Sequence, residues 1–174
     1  MPYLAAEYFV TDKTPKKSGN DHPILSPYGL FKTKDGNIAI APANDKLCET
    51  FLRTLNLEYL LEDDLYKTNS LRMINRDKLN DIINQTTELN TTDYWIKKLN
   101  ESGCPAGKVL DMKEALNDQL VEDTDMVITS DGPDDRKIKM TGFPVKLSDT
   151  PAQLFRSPPK LGEHTEEILS KIKN

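Results

Sequence analysis

Apolar residues along the chain switch between helical and strand-like spacing. Leu4, Ala5, Tyr8 and Phe9 fall at i, i+1, i+4 and i+5, a one-sided helical stripe that dissolves into the polar run 11–19. Residues 28–33 and 37–41 are strand-like, and Lys34-Asp35-Gly36 between them predicts a hairpin, with glycine supplying the positive φ of a tight turn. Asn44 is placed to cap a helix that carries Leu47, Phe51, Leu52 and Leu55 on one face. A longer helical pattern holds Leu71, Ile74, Leu79, Ile82 and Ile83. Another starts near Thr91 or Thr92 and sets Trp95 and Leu99 four residues apart.

Beyond the turn-forming run Ser102-Gly103-Cys104-Pro105-Ala106-Gly107, a short strand is expected at 108–110. Asp111 and Glu114 have the spacing of a capping box and open a short helix to about Asn117. Residues 126–129 and 137–140 read as strands around the turn 131–135. After the proline-spaced stretch with Pro144, Pro151, Pro158 and Pro159, a last helix is expected from about Glu163, with acids early and Lys171 and Lys173 late. The class is α+β: a small domain with an antiparallel hairpin and several helices, then a C-terminal return segment with short strands and a terminal helix. The expected divisions are an N-terminal helix and linker (1–19), the small α+β domain (20–103) and the return segment (104–174).

Composition narrows the function classes. The chain has 174 residues, 37% hydrophobic and 29% charged, enough for a real core. Its net charge is −5, from 28 acidic and 23 basic side chains in alternation, with no basic stripe to neutralise phosphates, so no nucleic-acid partner is expected. No apolar run approaches the roughly 20 residues of a membrane span, so no membrane partner is expected either. The first residues lack the form of a signal peptide, and with only Cys48 and Cys104 there is no disulfide framework. The expected compartment is the cytoplasm.

Catalytic chemistry is hard to find. His22 and His164 are the only histidines, and neither sits in a cluster with metal-ligand spacing, so no metal site is expected. Cys104, directly before Pro105, reads as a small buried loop residue rather than a thiol nucleophile. Glu62-Asp63-Asp64 and Asp134-Asp135 read as solvated loop charges, the first anchored by Leu60, Leu61 and Leu65. No residue of the chain stands out as catalytic.

Three stretches, in order, carry a resemblance. Gly19-Asn20-Asp21-His22-Pro23 with Pro27-Tyr28-Gly29-Leu30-Phe31-Lys32-Thr33-Lys34-Asp35-Gly36 is the first. Gly103-Cys104-Pro105-Ala106-Gly107-Lys108-Val109 with Met112-Lys113-Glu114-Ala115 is the second. Phe143-Pro144 followed by Pro158 and Leu161-Gly162-Glu163-His164-Thr165-Glu166-Glu167-Ile168-Leu169 is the third. Together they resemble the family III CoA-transferases, the CaiB/BaiF group of formyl-CoA transferase, carnitine CoA-transferase and α-methylacyl-CoA racemase.

The resemblance implies a great deal that spacing does not. Members have two domains, and the first holds most of the CoA site and a nucleophilic aspartate that forms anhydride and thioester intermediates. By this resemblance the chain corresponds to the C-terminal part alone, with no aspartate in the nucleophile's position, and is expected to be inactive by itself. Acyl-CoA and a carboxylic acid would be its substrates, with no permanently bound cofactor. The matching substrate loop contains Gly19, Asn20, Asp21 and His22. Gly19 would let backbone N–H groups approach an acyl oxygen. His22 would either line the pocket or cap the loop before Pro23, and Tyr28 would be core or pocket wall. Glu163 and Thr165 would serve a helix N-terminus. Family subunits form interlocked rings, so a homodimer, or self-association through exposed apolar surface, is expected. An acyl-CoA racemase portion and a stand-alone CoA-ester binding or assembly module are the alternatives.

Overall fold

The hairpin forms where Asp35 and Gly36 predict it. The computed structural model describes residues 2–133 and 136–172. Asp134, Asp135 and Lys173, which the sequence placed in a loop and at a helix end, lie outside the described residues. Strands β1 (Gly29–Thr33) and β2 (Gly36–Ile40) pair antiparallel from Gly29 opposite Ile40 to Thr33 opposite Gly36. Gly36 itself does not adopt a positive φ. The turn is held from outside instead: the Asp35 carboxylate accepts the Thr92 N–H at 2.7 Å, the Thr92 hydroxyl at 2.9 Å and the Thr33 hydroxyl at 3.3 Å.

Those bonds, the Thr92 N–H first, hold the Asp35 carboxyl below its ordinary range. A lowered folded pKa means the carboxylate stabilises the fold above the unfolded value of about 3.9 and loses that contribution as pH falls through the folded value. We therefore expect the acid melting profile of the protein to steepen below about pH 4 and that slice to be absent from Asp35→Asn. Superimposable acid profiles would refute the assignment.

Alternation along the hairpin turns Phe31, Ile38 and Ile40 to one face, where all are buried. Helices α2 (Asp45–Thr54), α4 (Arg76–Thr87) and α5 (Thr92–Glu101) cover that face with Phe51, Leu52, Leu79, Ile83, Trp95 and Leu99. Asn44 caps α2, its side chain accepting the Leu47 N–H at 2.9 Å, and Thr91 caps α5. Trp95 reaches the core with its polar edge satisfied, since its indole N–H donates to the Thr87 carbonyl at 2.8 Å. The N-terminal stripe forms α1 (Pro2–Thr11), with Tyr3 and Phe9 strongly exposed.

Local competition and long-range pairing account for the departures from the predicted elements. The pattern from Leu71 to Ile83 is two helices, α3 (Asn69–Ile74) and α4, because the Asn75 amide donates to the Leu65 and Leu71 carbonyls and breaks the helix. Ile74 is consequently exposed. A 3-10 turn at Glu58–Leu61 buries Leu60, whereas Leu65 stays exposed and anchors nothing. The strand expected at 108–110 is β3 (Ala106–Lys108), antiparallel to β2 with Ala39 opposite Gly107. Pairing begins early, with the Ala41 N–H donating to the Pro105 carbonyl, and its last bond runs from the Val109 N–H to the Asn37 carbonyl at 3.4 Å, so the strand is displaced toward the N-terminus of the expected span.

The chain divides into two compact units, Met1–Val109 and Leu110–Asn174. In the second, α6 (Met112–Leu116) carries the predicted capping box, with both the Glu114 N–H to Asp111 and the Asp111 N–H to Glu114 bonds present. Helix α7 (Gln119–Asp123) follows, then the hairpin β4 (Val127–Asp131) and β5 (Lys137–Thr141). The terminal helix α8 (Thr165–Ile172) begins two residues later than Glu163, which accepts the Lys160 N–H and closes the turn before it. Glu167 receives the Arg156 guanidinium through two bonds, at 2.9 and 3.0 Å, and Lys171 at 2.7 Å. These contacts lower its carboxyl pKa to about 2. Ser130 is the one fully buried residue among those described in this unit, and Phe155, Leu161, Ile168 and Ile172 face outward. Its order rests on hairpin and capping bonds rather than on a core. No helix among the described residues is long and apolar enough to cross a membrane.

Candidate functional site

The segment 19–29 gathers all five residues singled out in the sequence. Gly19 has φ +62° and makes the turn that lets the Asp21 N–H reach the Ser18 carbonyl at 3.1 Å. A Cβ there would meet nothing within 4 Å, so the backbone at Gly19 is open on that side. Asn20 lies at the rim of a groove of about 370 Å³ whose floor is formed by Gly29, Ala39 and Gly107. Leu30, Ala39 and Gly107 face one another across the three strands, so short side chains leave this end of the sheet shallow.

His22 is fixed at three points. Its N–H donates to the Tyr28 carbonyl at 2.9 Å, its ring packs on Tyr28 with centroids 4.7 Å apart, and its Nδ1 accepts the Ile24 N–H at 3.3 Å. It caps the loop through Nδ1, and with Pro23, Ile24, Tyr3 and Leu4 it lines a largely apolar pocket of about 730 Å³. With Nδ1 accepting the Ile24 N–H, Nε2 is left to carry the ring hydrogen and to donate it. Tyr28 is half-buried and borders the groove that Asn20 also lines.

Beneath the loop runs a support that the sequence patterns did not single out. The Asn69 amide donates to the Ile24 carbonyl at 2.9 Å and accepts the Ser26 N–H at 3.1 Å. Arg72, only 3% exposed, donates to the Ser26 carbonyl at 2.6 Å, to the Tyr66 carbonyl at 3.1 Å and to Asp45 at 2.6 Å. Gly29 was also missed. A Cβ on it would lie 2.5 Å from the Asp21 carboxylate oxygen and 3.0 Å from the Asn20 carbonyl, so the loop sits directly on the start of β1. The signal was present as a glycine at the edge of a strand, where close backbone approach is a usual cause.

The other candidates settle as structural. Cys104 is fully buried, and burial, with Cys48 nearby, pushes its thiol up to about 11; burial raises Cys48 as well. Neither offers a thiolate at neutral pH. No group of three or more metal-ligating side chains occurs among the described residues. Glu163 and His164 border a polar cavity of about 690 Å³ with Arg156 and Lys160. His164 Nδ1 stands 4.0 Å from Glu167, and Thr165 is the first residue of α8.

Comparison with known proteins places these features in context. A succinyl-CoA:glutarate CoA-transferase from Homo sapiens is 33% identical over 172 residues, covering 99% of this chain and 39% of that protein. A succinate–glutarate CoA-transferase from Agrobacterium fabrum is 28% identical over 166 residues, 95% of this chain and 41% of that protein. The crystal structure of a CAIB/BAIF family protein from Brucella suis superposes with a TM-score of 0.76 at 28% identity, over 98% of this chain and 44% of that one. The chain thus spans about two fifths of the length of the relatives it matches. Since the model of CoA-transferase family III matches residues 1–165, nearly all of the chain including the loop and its support, the protein belongs to that family.

Proposed function

We propose that this chain is the C-terminal part of a CoA-transferase that moves CoA between an acyl-CoA and a carboxylic acid, and that it supplies the substrate loop of a shared active site. The observation that carries this reading is the loop 19–22, ordered by bonds to its own base while Gly19 leaves a backbone face open. Backbone N–H groups at such a turn suit an oxygen that gains negative charge as a thioester carbonyl is attacked, and the Nε2–H of His22 is a further donor in the same segment.

In this reading the attacking carboxylate belongs to a polypeptide stretch outside these residues. It adds to the thioester carbonyl, the C–S bond breaks, and CoA thiolate leaves an acyl–aspartyl anhydride. The thiolate then attacks the aspartyl carbonyl, releasing the first acid and leaving an aspartyl-CoA thioester. The second acid repeats the two steps in reverse. The donors of this chain would stabilise the oxyanion in each addition. Outward-facing Phe155, Leu161 and Ile172 in the second unit and Tyr3 and Phe9 on α1 support packing against further polypeptide, and a homodimer is part of the proposal. We place the protein in the cytoplasm, in keeping with two unpaired buried thiols.

The relatives' names choose the probes. Succinyl-CoA and glutarate, offered to the chain alone, are expected to yield no glutaryl-CoA above background, and to yield it when the first domain of a family enzyme is supplied. Turnover by the chain alone would overturn the shared-site reading. Loss of α-proton stereochemistry in a branched acyl-CoA without exchange would identify the racemase branch. Acyl-CoA binding without either reaction would identify a binding module.

A further inference from the structure

The helical pair under the loop continues past Asn69 and Arg72. Asn69 and Arg72 are three apart on α3, and Arg76 and Asn80 are four apart on α4, so each pair shares a face of its own helix, and all four bond to the segment 21–26. The Arg76 guanidinium donates to the His22 carbonyl at 2.7 Å and to the Leu25 carbonyl at 3.1 Å. The Asn80 amide donates to the Asp21 carboxylate at 3.3 Å. We infer that Arg76 and Asn80 are positioning residues for the substrate loop, a role that rests on the reading proposed above.

Two observations separate this role from ordinary packing. First, the contacts fall on the backbone and side chain of the two residues that immediately follow the open turn, 54 and 59 residues away in sequence. Arg76 fixes the carbonyl of His22 while Tyr28 fixes its N–H and its ring, so the direction of the Nε2–H is determined from below. Second, Asn80 Oδ1 is buried without a hydrogen-bond partner. An apolar side chain would suit that depth better, because an orphaned buried acceptor is costly. The amide is accounted for by the single bond it extends to Asp21. Among the described residues the other buried orphan is the Ser26 hydroxyl, in the same loop segment, so unmet polar demand concentrates at this anchor.

A donor aimed at a developing oxyanion contributes in the transition state, so loosening it lowers kcat more than it raises KM. The test has two arms. In the isolated chain, amide exchange at Asp21 and His22 is expected to quicken about tenfold or more in Arg76→Gln and to a lesser degree in Asn80→Ala. Exchange at Ile83 stays unchanged, and Arg76→Lys recovers part of the protection. With the first domain supplied and succinyl-CoA and glutarate as substrates, Arg76→Gln is expected to lower kcat about tenfold or more with a smaller change in KM, and Arg76→Lys to restore part of it. Unchanged exchange at 21 and 22, or faster exchange with kcat and KM both unaltered, overturns the inference. If the wild-type pair shows no transfer while exchange responds as stated, the transferase reading fails and the anchoring stands. Should Arg76→Gln not fold, Arg76→Lys and Asn80→Ala decide the matter by the same readouts.

Discussion

Arg72→Ala is expected to destabilise the first unit by about 2–4 kcal/mol, at about 1–3 kcal/mol for each buried backbone carbonyl left without its donor. Three acceptors lose their donors at once: the Ser26 carbonyl, the Tyr66 carbonyl and the Asp45 carboxylate. The two carbonyls come from loops that no strand or helix ladder serves, so each is left without its donor. Truncation also opens a void under the loop 24–28. The contribution is unequally shared. Arg72 has a side chain 4% exposed whereas Asp45 is 82% exposed, so Asp45→Ala is expected to cost no more than about 1 kcal/mol. Arg72→Lys should fall between, because an ammonium cannot reproduce the fork that serves three directions. Urea unfolding measures all three. An Arg72→Ala midpoint within about 1 kcal/mol of wild type would show that water replaces the guanidinium without penalty.

Gly29→Val is expected to leave the hairpin folded and to remove most of the activity that the proposed function predicts when the first domain is supplied. Valine suits a strand, and Gly29 lies at the very start of β1, so the ladder itself tolerates the change. The loop does not. A Cβ at 29 already falls 2.5 Å from the Asp21 oxygen and 3.0 Å from the Asn20 carbonyl, and the γ-carbons of valine add bulk in the same space. Asp21 must swing off Asn80, and the backbone of Asn20 must lift from the sheet. A displacement of about 1 Å at a positioned donor costs on the order of a hundredfold in kcat/KM. The measurement is CoA exchange between succinyl-CoA and glutarate, with circular dichroism to confirm the fold. Full activity in a folded Gly29→Val protein would mean the loop position against β1 is irrelevant to the reaction.

Both results depend on contacts that leave no periodic signal in the sequence: Arg72 reaches Ser26 across 46 residues, and Gly29 meets Asp21 only because the loop folds back on the strand. The helix faces with Phe51 and Leu52, and with Trp95 and Leu99, were legible because burial repeats with the helical period. The caps at Asn44 and Asp111 were legible because a capping side chain acts within three residues, and the start of α5 was legible to within one residue, near Thr91 or Thr92. The hairpin was legible too, yet its stated cause was incomplete: the turn at Asp35 is held by Thr92, 57 residues on, and not by the φ of Gly36. Likewise Gly19 and His22 were recognised as loop residues, while their supports at Asn69, Arg72, Arg76 and Asn80 read as ordinary polar positions of a helix.

From residue order alone came the α+β class, the principal helices and strands of the first unit and the capping box at Asp111, all consequences of forces that act over a few residues, whereas attention to the loop 19–22 came from the resemblance to the family. Tertiary structure alone decided that Asn75 divides one helical pattern into two, that β3 ends at Lys108, that Arg72 is buried, and that Gly29 must lack a side chain. They depend on which carbonyls and side chains meet once the chain has folded back, whether across 46 residues, as from Ser26 to Arg72, or across 10, as from Leu65 to Asn75. A hydrogen bond formed across such a distance leaves no period in the sequence.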